Sequence, residues 1–216
     1  MTQYHQKKIA MINDLSGYGR CSLTVAIPVL SAMGHQCCPI PTAILSNHTE
    51  FPVYFFDDYT EKMTTYTDKW KELGLSFDAI ATGFLGSEAQ IGIVMEIVQK
   101  LKAEKTFVVV DPVMGDHGHA YETYTPEMCE QMKELVCMAD VVLPNVTECC
   151  ILTDTPYREE NWTRKELLNM AMMLRLMGAK SVVITGVREG SCYTNVVLEQ
   201  GQYDAKFIRT RSSGGE

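Results

Sequence analysis

Along the chain, short apolar runs alternate with longer segments whose apolar residues recur every three to four positions. This is the pattern of strands buried on both faces, separated by amphipathic helices. Lys8 to Asn13 predicts a first strand, and Ser22 to Met33 a helix with Leu23, Ile27, Leu30 and Met33 on one side and Gly34 at its end. Gln36 to Leu45 predicts a second strand, in which Pro39 and Pro41 cannot donate to a ladder, so an edge position or a bulge is expected. Tyr59 to Leu73 predicts a helix. Further strands are expected at Ala79 to Thr82, Thr106 to Val110, Val141 to Leu143 and Ser181 to Thr185, and helices at about Glu88 to Lys102, Pro126 to Cys137 and Thr163 to Met177. Gly190 to Leu198 and Ala205 to Arg209 predict a terminal hairpin turning near Glu199, Gln200 and Gly201. Strands alternating with helices imply an α/β protein, a three-layer α/β/α sandwich around a mostly parallel central sheet. No internal repeat and no low-complexity segment interrupts it.

The 216 residues, 46% of them hydrophobic, suffice for one substantial core, and no stretch reads as a linker, so a single domain over residues 1–216 is expected. The net charge of −8 argues against nucleic acid or an anionic membrane as partner and favours a small-molecule substrate. The eight cysteines include no C-x-x-C pair, and neighbours such as Cys37 and Cys38 point to opposite faces of a strand. Buried thiols in a reducing cytoplasm are expected. Residues Met1 to Lys8 are polar and lead directly into a strand, so neither an export signal nor a membrane span is expected.

Nearly every predicted strand ends in a polar or glycine-rich stretch: Asn13 to Arg20, Ser46 to Glu50, Gly83 to Ser87, Asp111 to Gly118, Asn145 to Glu148 and Gly186 to Gly190. Ligands of open parallel sheets bind outside the carboxyl ends of the strands, so these loops are expected to line one site. In Asp111-Pro112-Val113-Met114-Gly115-Asp116, two carboxylates share one short turn, an arrangement suited to a hydrated Mg²⁺ carried by nucleotide phosphates. Taken alone, the same residues also suit a turn cap and a solvated surface aspartate. Leu143-Pro144-Asn145-Val146-Thr147-Glu148 places an amide and a carboxylate three residues apart at a helix start, where they also fit an ordinary capping box.

Together these segments resemble the pyridoxal and pyridoxamine kinases of the ribokinase-like superfamily. The Asp111 to Asp116 loop, Pro144-Asn145-x-x-Glu148 and Val183-Ile184-Thr185-Gly186 are similar to the family's nucleotide and metal side; Ser46-Asn47-His48-Thr49 and Asp14-Leu15-Ser16-Gly17-Tyr18-Gly19-Arg20 are similar to its vitamer side. The resemblance runs in order from Ile9 to about Ile208. It implies ATP-dependent phosphorylation of the 5′-hydroxymethyl group of pyridoxal, pyridoxamine or pyridoxine. It implies Mg²⁺ held by Asp116 and Glu148, directly or through water, with Asp111 beside the triphosphate and a monovalent cation such as K⁺. Asn145 and Thr185 would hydrogen-bond phosphate oxygens, Gly186 would lie in the same nucleotide site, and Tyr124 would be a lid over the nucleotide. Asp14, Ser16, His48, Thr49 and Phe84 would surround the pyridine ring, Phe84 standing where relatives often carry tyrosine. A cytoplasmic homodimer is implied as well.

The family's base for the substrate hydroxyl is the aspartate of a Gly-Thr-Gly-Asp loop, whose amides also receive the phosphoryl group. No such motif occurs among these residues, which end Arg211-Ser212-Ser213-Gly214-Gly215-Glu216. Glu216 is not taken as the base; the aspartate is expected beyond it, with helices that cover the sheet, and residues 1–216 alone are expected to be poorly stable and nearly inactive. Three other readings remain open. A hydroxymethylpyrimidine kinase shares the fold and chemistry, and a non-catalytic vitamer- or nucleotide-binding pseudokinase is compatible with the absent motif. A nucleotide-binding oxidoreductase is suggested by Gly17-Tyr18-Gly19, although Ser22 stands where its fingerprint needs a third glycine.

Overall fold

The computed structural model describes residues 6–49 and 51–211; residues 1–5, Glu50 and 212–216 lie outside the description. The expectations attached to the extreme N-terminus, to Glu50 and to the Ser212 to Glu216 end therefore fall outside the described residues. The chain forms two compact units, Met1–Val109 and Val110–Glu216.

The first unit contains β1 (Lys8–Tyr18), α1 (Ser22–Ala32), β2 (Gln36–Asn47), β3 (Phe56–Asp58), α2 (Thr60–Glu72), β4 (Ala79–Thr82), α3 (Glu88–Leu101) and most of β5 (Phe107–Val110). Its strands run in the order β5-β4-β1-β2-β3; β1 is parallel to β2 and β4, and β3 returns antiparallel to β2. The buried side chains Ile12, Ile40 and Ile80 come from three of these strands, and full burial of such a side chain contributes roughly 1.5–3 kcal/mol. Helix α3 starts where Ser87 accepts a hydrogen bond from the Gln90 N–H, and it buries Ile91, Val94, Val98 and Leu101 at three- and four-residue spacing.

Two expectations for this unit are corrected. Asn13 to Arg20 is not a loop, because β1 continues to Tyr18 by pairing with β2 across a register shift between Asn13 and Leu15. The apolar stripe of α1 is not a buried face: only Leu23 is buried, and Met33 at the C-cap is 62% exposed. The proline expectation holds in both its forms. Gln36 donates to the Lys7 carbonyl on the β1 side, whereas the Pro39 carbonyl accepts from the Tyr66 hydroxyl at 3.0 Å. Alternation along the strand thus turns the nitrogens of Pro39 and Pro41 away from β1, and the register shift follows directly after Pro41.

The second unit contains β6 (Gly115–Asp116), β7 (His119–Ala120), α4 (Pro126–Cys137), β8 (Val141–Val142), α5 (Val146–Thr153), α6 (Arg164–Met177), β9 (Ser181–Glu189), β10 (Cys192–Leu198) and β11 (Lys206–Arg211). The order β8-β9-β10-β11 combines a parallel pair with two antiparallel ones. α4 has the Thr125 side chain as its cap and Pro126 in its first turn, where a missing N–H removes nothing. α6 begins with a capping box between Thr163 and Glu166.

Gly186 to Gly190 proves to be mostly strand rather than loop. β9 passes through a bulge, because Thr194 faces Val187 while Val196 faces Ile184, and Gly186 takes the left-handed φ of 67° that the extra residue demands. All eight cysteines are free, but the expectation of buried thiols is corrected: only Cys149 and Cys150 are buried, and Cys137 is exposed. Among the described residues no helix is long and apolar enough to cross a membrane.

Candidate functional site

In the second unit, Asp111 follows the last residue of β5, and the chain then forms the β6–β7 hairpin. Its two-residue turn, His117 and Gly118, has φ of 50° and 83°, as a type I′ turn requires. The Gly118 N–H donates to the Thr147 hydroxyl at 2.9 Å, fastening the turn to α5. Gly115 permits the close strand approach, since a Cβ there would lie 2.2 Å from the His119 carbonyl oxygen.

Asn145 and Glu148 hold the base of this hairpin. The Asn145 Oδ1 accepts from the Glu148 N–H at 2.9 Å, and Glu148 Oε2 accepts from the Asn145 N–H at 2.8 Å. The remaining groups reach outward: Asn145 Nδ2 donates to the Gly115 carbonyl at 2.8 Å, and Glu148 Oε1 accepts from the Met114 N–H at 3.2 Å. The capping box therefore also clamps the acidic loop.

Burial sets the electrostatics of this loop. Glu148 is only 3% exposed, and burial pushes its pKa to about 8; its two backbone hydrogen bonds oppose the shift, and the negative charges of Asp111 and Asp116 add to it. Burial raises Asp111 to about 6. Asp116 is exposed, with Oδ1 accepting from the His117 N–H at 2.8 Å. Among the described residues no group of three or more His, Cys, Asp or Glu could hold a metal by itself. The donor set is all oxygen and incomplete, which fits Mg²⁺ arriving with phosphates and water better than a metal caged by protein.

The other residues expected here fall into place unequally. Tyr124 is 7% exposed with its hydroxyl unpartnered among the described residues, and burial, then Cys129, Glu148 and Asp111, hold its pKa above the ordinary range. Its side chain is packed inward. Thr185 is paired through its N–H to the Pro144 carbonyl at 2.8 Å and bridges to Asn145, and Gly186 sits in the β9 bulge. Both side-chain ends of Asn145 are engaged within the chain.

In the first unit, Asp14 and Ser16 lie two apart on one face of β1, both buried, with the Ser16 hydroxyl donating to Asp14 Oδ2 at 3.0 Å. Phe84 is fixed by its backbone: its N–H donates to Asn13 Oδ1 at 2.9 Å, and its carbonyl accepts from the Thr42 hydroxyl at 3.0 Å. Gly83 admits Asn13, whose Nδ2 would be 2.3 Å from a Cβ there. Sequence reading missed the role of Asn13, because nothing local marks a side chain whose partner is 71 residues away. His48 is half-buried and Thr49 exposed at the end of β2. Ser46 and Asn47 staple the following loop, through Phe55 N–H to Ser46 Oγ at 2.8 Å and Asn47 Nδ2 to the Val53 carbonyl at 3.0 Å.

Comparisons with known proteins identify the family and the fold. Residues 26–215 match the family model described as phosphomethylpyrimidine kinase. The pyridoxal kinase of Dictyostelium discoideum is 29% identical over 189 residues, covering 84% of this chain and 60% of its own length. A Bacteroides thetaiotaomicron protein classed with the phosphomethylpyrimidine kinases, crystallised with pyridoxal, is 41% identical at a TM-score of 0.90, with 96% of this chain and 73% of that one covered. The pyridoxal kinase of Lactobacillus plantarum is 28% identical at a TM-score of 0.87, covering 97% of this chain and 74% of its own. The chain thus spans about three fifths of the length of the curated relatives it matches first. With nearly the whole chain matched and pyridoxal kinases among its relatives, this protein belongs to the phosphomethylpyrimidine kinase family and has the ribokinase-like α/β fold.

Proposed function

We propose that the protein transfers the γ-phosphoryl group of ATP to the 5′-hydroxymethyl group of a B6 vitamer: pyridoxal, pyridoxamine or pyridoxine. The observation that carries this reading is the acidic loop Asp111 to Asp116 clamped by Asn145 and Glu148, an oxygen-only set suited to Mg-nucleotide. Phosphoryl transfer asks mainly for positioning and charge neutralisation, so such a set matches its needs. Asp116 and Glu148 would hold Mg²⁺, which supplies positive charge beside the phosphate oxygens when bound. Glu148, whose oxygens already receive two amides, would act on the ion through its charge or through water. Asp111 would lie by the triphosphate and a monovalent cation, with Asn145, Thr185 and Gly186 at the phosphates and Tyr124 over the nucleotide. Asp14, Ser16, His48, Thr49 and Phe84 would receive the pyridine ring. No residue among 1–216 is proposed as the base for the hydroxyl.

The same reading makes residues 1–216 part of one kinase domain and the protein a cytoplasmic homodimer. Val25 and Val29, exposed on α1, and Met33, exposed at its C-cap, are consistent with self-association.

A second reading is favoured by the family description itself: hydroxymethylpyrimidine as the acceptor. The test is to incubate the natural full-length protein with ATP and Mg²⁺ and each acceptor separately, following pyridoxal 5′-phosphate and hydroxymethylpyrimidine phosphate. A kcat/KM higher for the vitamer supports the first reading, and the reverse supports the second. Binding of ATP and pyridoxal without turnover would identify a pseudokinase.

A further inference from the structure

Two residues given no role so far, Gly19 and Phe51, lie directly against His48. Its N–H donates to the Tyr18 carbonyl at 3.3 Å, where β1 and β2 end side by side. The chain then turns back, Phe51 N–H donating to the His48 carbonyl at 3.3 Å, and the turn lays the Phe51 ring 4.6 Å from the imidazole with 47° between the planes. The Tyr18 ring backs Phe51 at 5.6 Å. Against another part of the imidazole lies Gly19, where a Cβ would be 2.2 Å from Cδ2 and 3.0 Å from Nε2. Its φ of 98° is also one that side chains other than hydrogen rarely adopt.

Core formation does not account for this arrangement, since Phe51 is 37% exposed and Tyr18 more so. Its effect is to restrict the rotamers open to the His48 side chain. Ordering a side chain before a ligand arrives removes an entropic cost from the binding step. We propose that Gly19 and Phe51 are positioning residues, which hold the His48 imidazole in one orientation to receive a flat heteroaromatic substrate. This rests on the vitamer reading of the first unit. The two residues set substrate affinity by acting through His48, without taking part in the chemistry.

The experiment uses the full-length protein with Phe51→Leu as the main variant and Gly19→Ala as the second, because alanine at Gly19 also strains the backbone. One readout needs no ligand: the imidazole proton resonances of His48, assigned by their loss in His48→Gln, should move in both variants as the ring contact changes. The other is pyridoxal binding, followed by its absorbance. Phe51→Leu should weaken it roughly threefold to tenfold, the effect of one side chain left unordered, with KM for pyridoxal raised more than kcat falls and ATP affinity retained. In a His48→Ala background, Phe51→Leu should have no further effect. Equal losses with and without His48, or unchanged resonances in both variants, would overturn the proposal. Failure of the wild-type protein to bind pyridoxal would overturn the vitamer reading and the substrate role of the clamp with it, whereas the resonances would still report whether the clamp exists.

Discussion

Asn145 and Glu148 satisfy each other's backbone N–H while their remaining polar atoms hold Gly115 and Met114, so a helix cap and a loop clamp are the same four hydrogen bonds. Asn145→Ala should therefore cost more than an ordinary cap. Loss of the cap alone is worth about 0.5–2 kcal/mol, and an unpaired carbonyl at Gly115 adds to it. Asn145→Ser keeps a capping oxygen but cannot reach Gly115, and it should fall between the wild type and alanine in urea denaturation. Equal stability of the serine and alanine variants would show that the Gly115 contact matters more than the cap.

Asp116 and Glu148 are predicted to differ when neutralised. Asp116→Asn removes charge from an exposed side chain and should lower activity by about tenfold or more at limiting Mg²⁺ with the melting temperature retained. Glu148→Gln puts an amide NH₂ where a backbone N–H now donates, so it should lose both activity and about 1–3 kcal/mol of stability. Paired melting curves and Mg²⁺ titrations of kcat/KM check both; unchanged Mg²⁺ dependence would remove these residues from the metal site.

The capping box of α6 carries a pH signature. Glu166 accepts from the Thr163 N–H at 2.8 Å and from Arg158, and these bonds, Arg158 first, hold its pKa at about 2 against an ordinary 4.5. A depressed carboxyl pKa stabilises the fold above the ordinary value, and that contribution is lost as pH falls through the folded one. Stability should therefore decline between pH 4.5 and about 2 more steeply in the wild type than in Glu166→Gln. Parallel acid limbs in denaturation of the two proteins would contradict this.

Two glycines separate backbone strain from crowding. Gly186→Ala meets no atom within 4 Å but keeps a φ of 67°, so it should cost about 1–2 kcal/mol. Gly115→Ala would place its Cβ 2.2 Å from a backbone carbonyl oxygen that cannot move aside as a side chain can. It should destabilise by at least about 2 kcal/mol and displace Asp116, with a loss of ATP binding that Gly186→Ala shows less.

On the first unit, His48→Ala should weaken pyridoxal binding by roughly tenfold, the worth of about one hydrogen bond or ring contact, and affect ATP less. Thr49→Ala, at a more exposed position, should have the smaller effect. Isothermal titration with each ligand separately decides it, and selective loss of ATP affinity would reverse the assignment of the two residue sets.

The elements legible in the sequence were those with both a pattern and punctuation. α3, α4 and α6 have capping side chains and a three-to-four periodicity, and their observed ends fall within a residue of expectation. α5 has no such contrast, because Thr147, Glu148, Cys149, Cys150, Leu152 and Thr153 are all buried and no polar face remains to set a period. β1 and β9 run longer than expected because Ser16, Gly17 and Gly186 resemble loop residues, while pairing across a bulge keeps them in the ladder. β6 and β7, two residues each, are too short for any pattern to show. For the candidate site, residue types and order were readable, whereas the hold of Asn13 on Phe84 depends on strands that only the fold brings together.

The prolines of β2 also bear on how copies of this protein can meet. An open sheet edge invites another chain to add a strand, the first step of many aggregation reactions. Along the exposed side of β2 an incoming strand would find no donor at Pro39 or Pro41, and a short antiparallel β3 already occupies Ala43 to Leu45. Strand addition is thereby disfavoured along the Pro39 to Pro41 stretch of β2, so association there would use side-chain surfaces, whose specificity mutation can tune residue by residue.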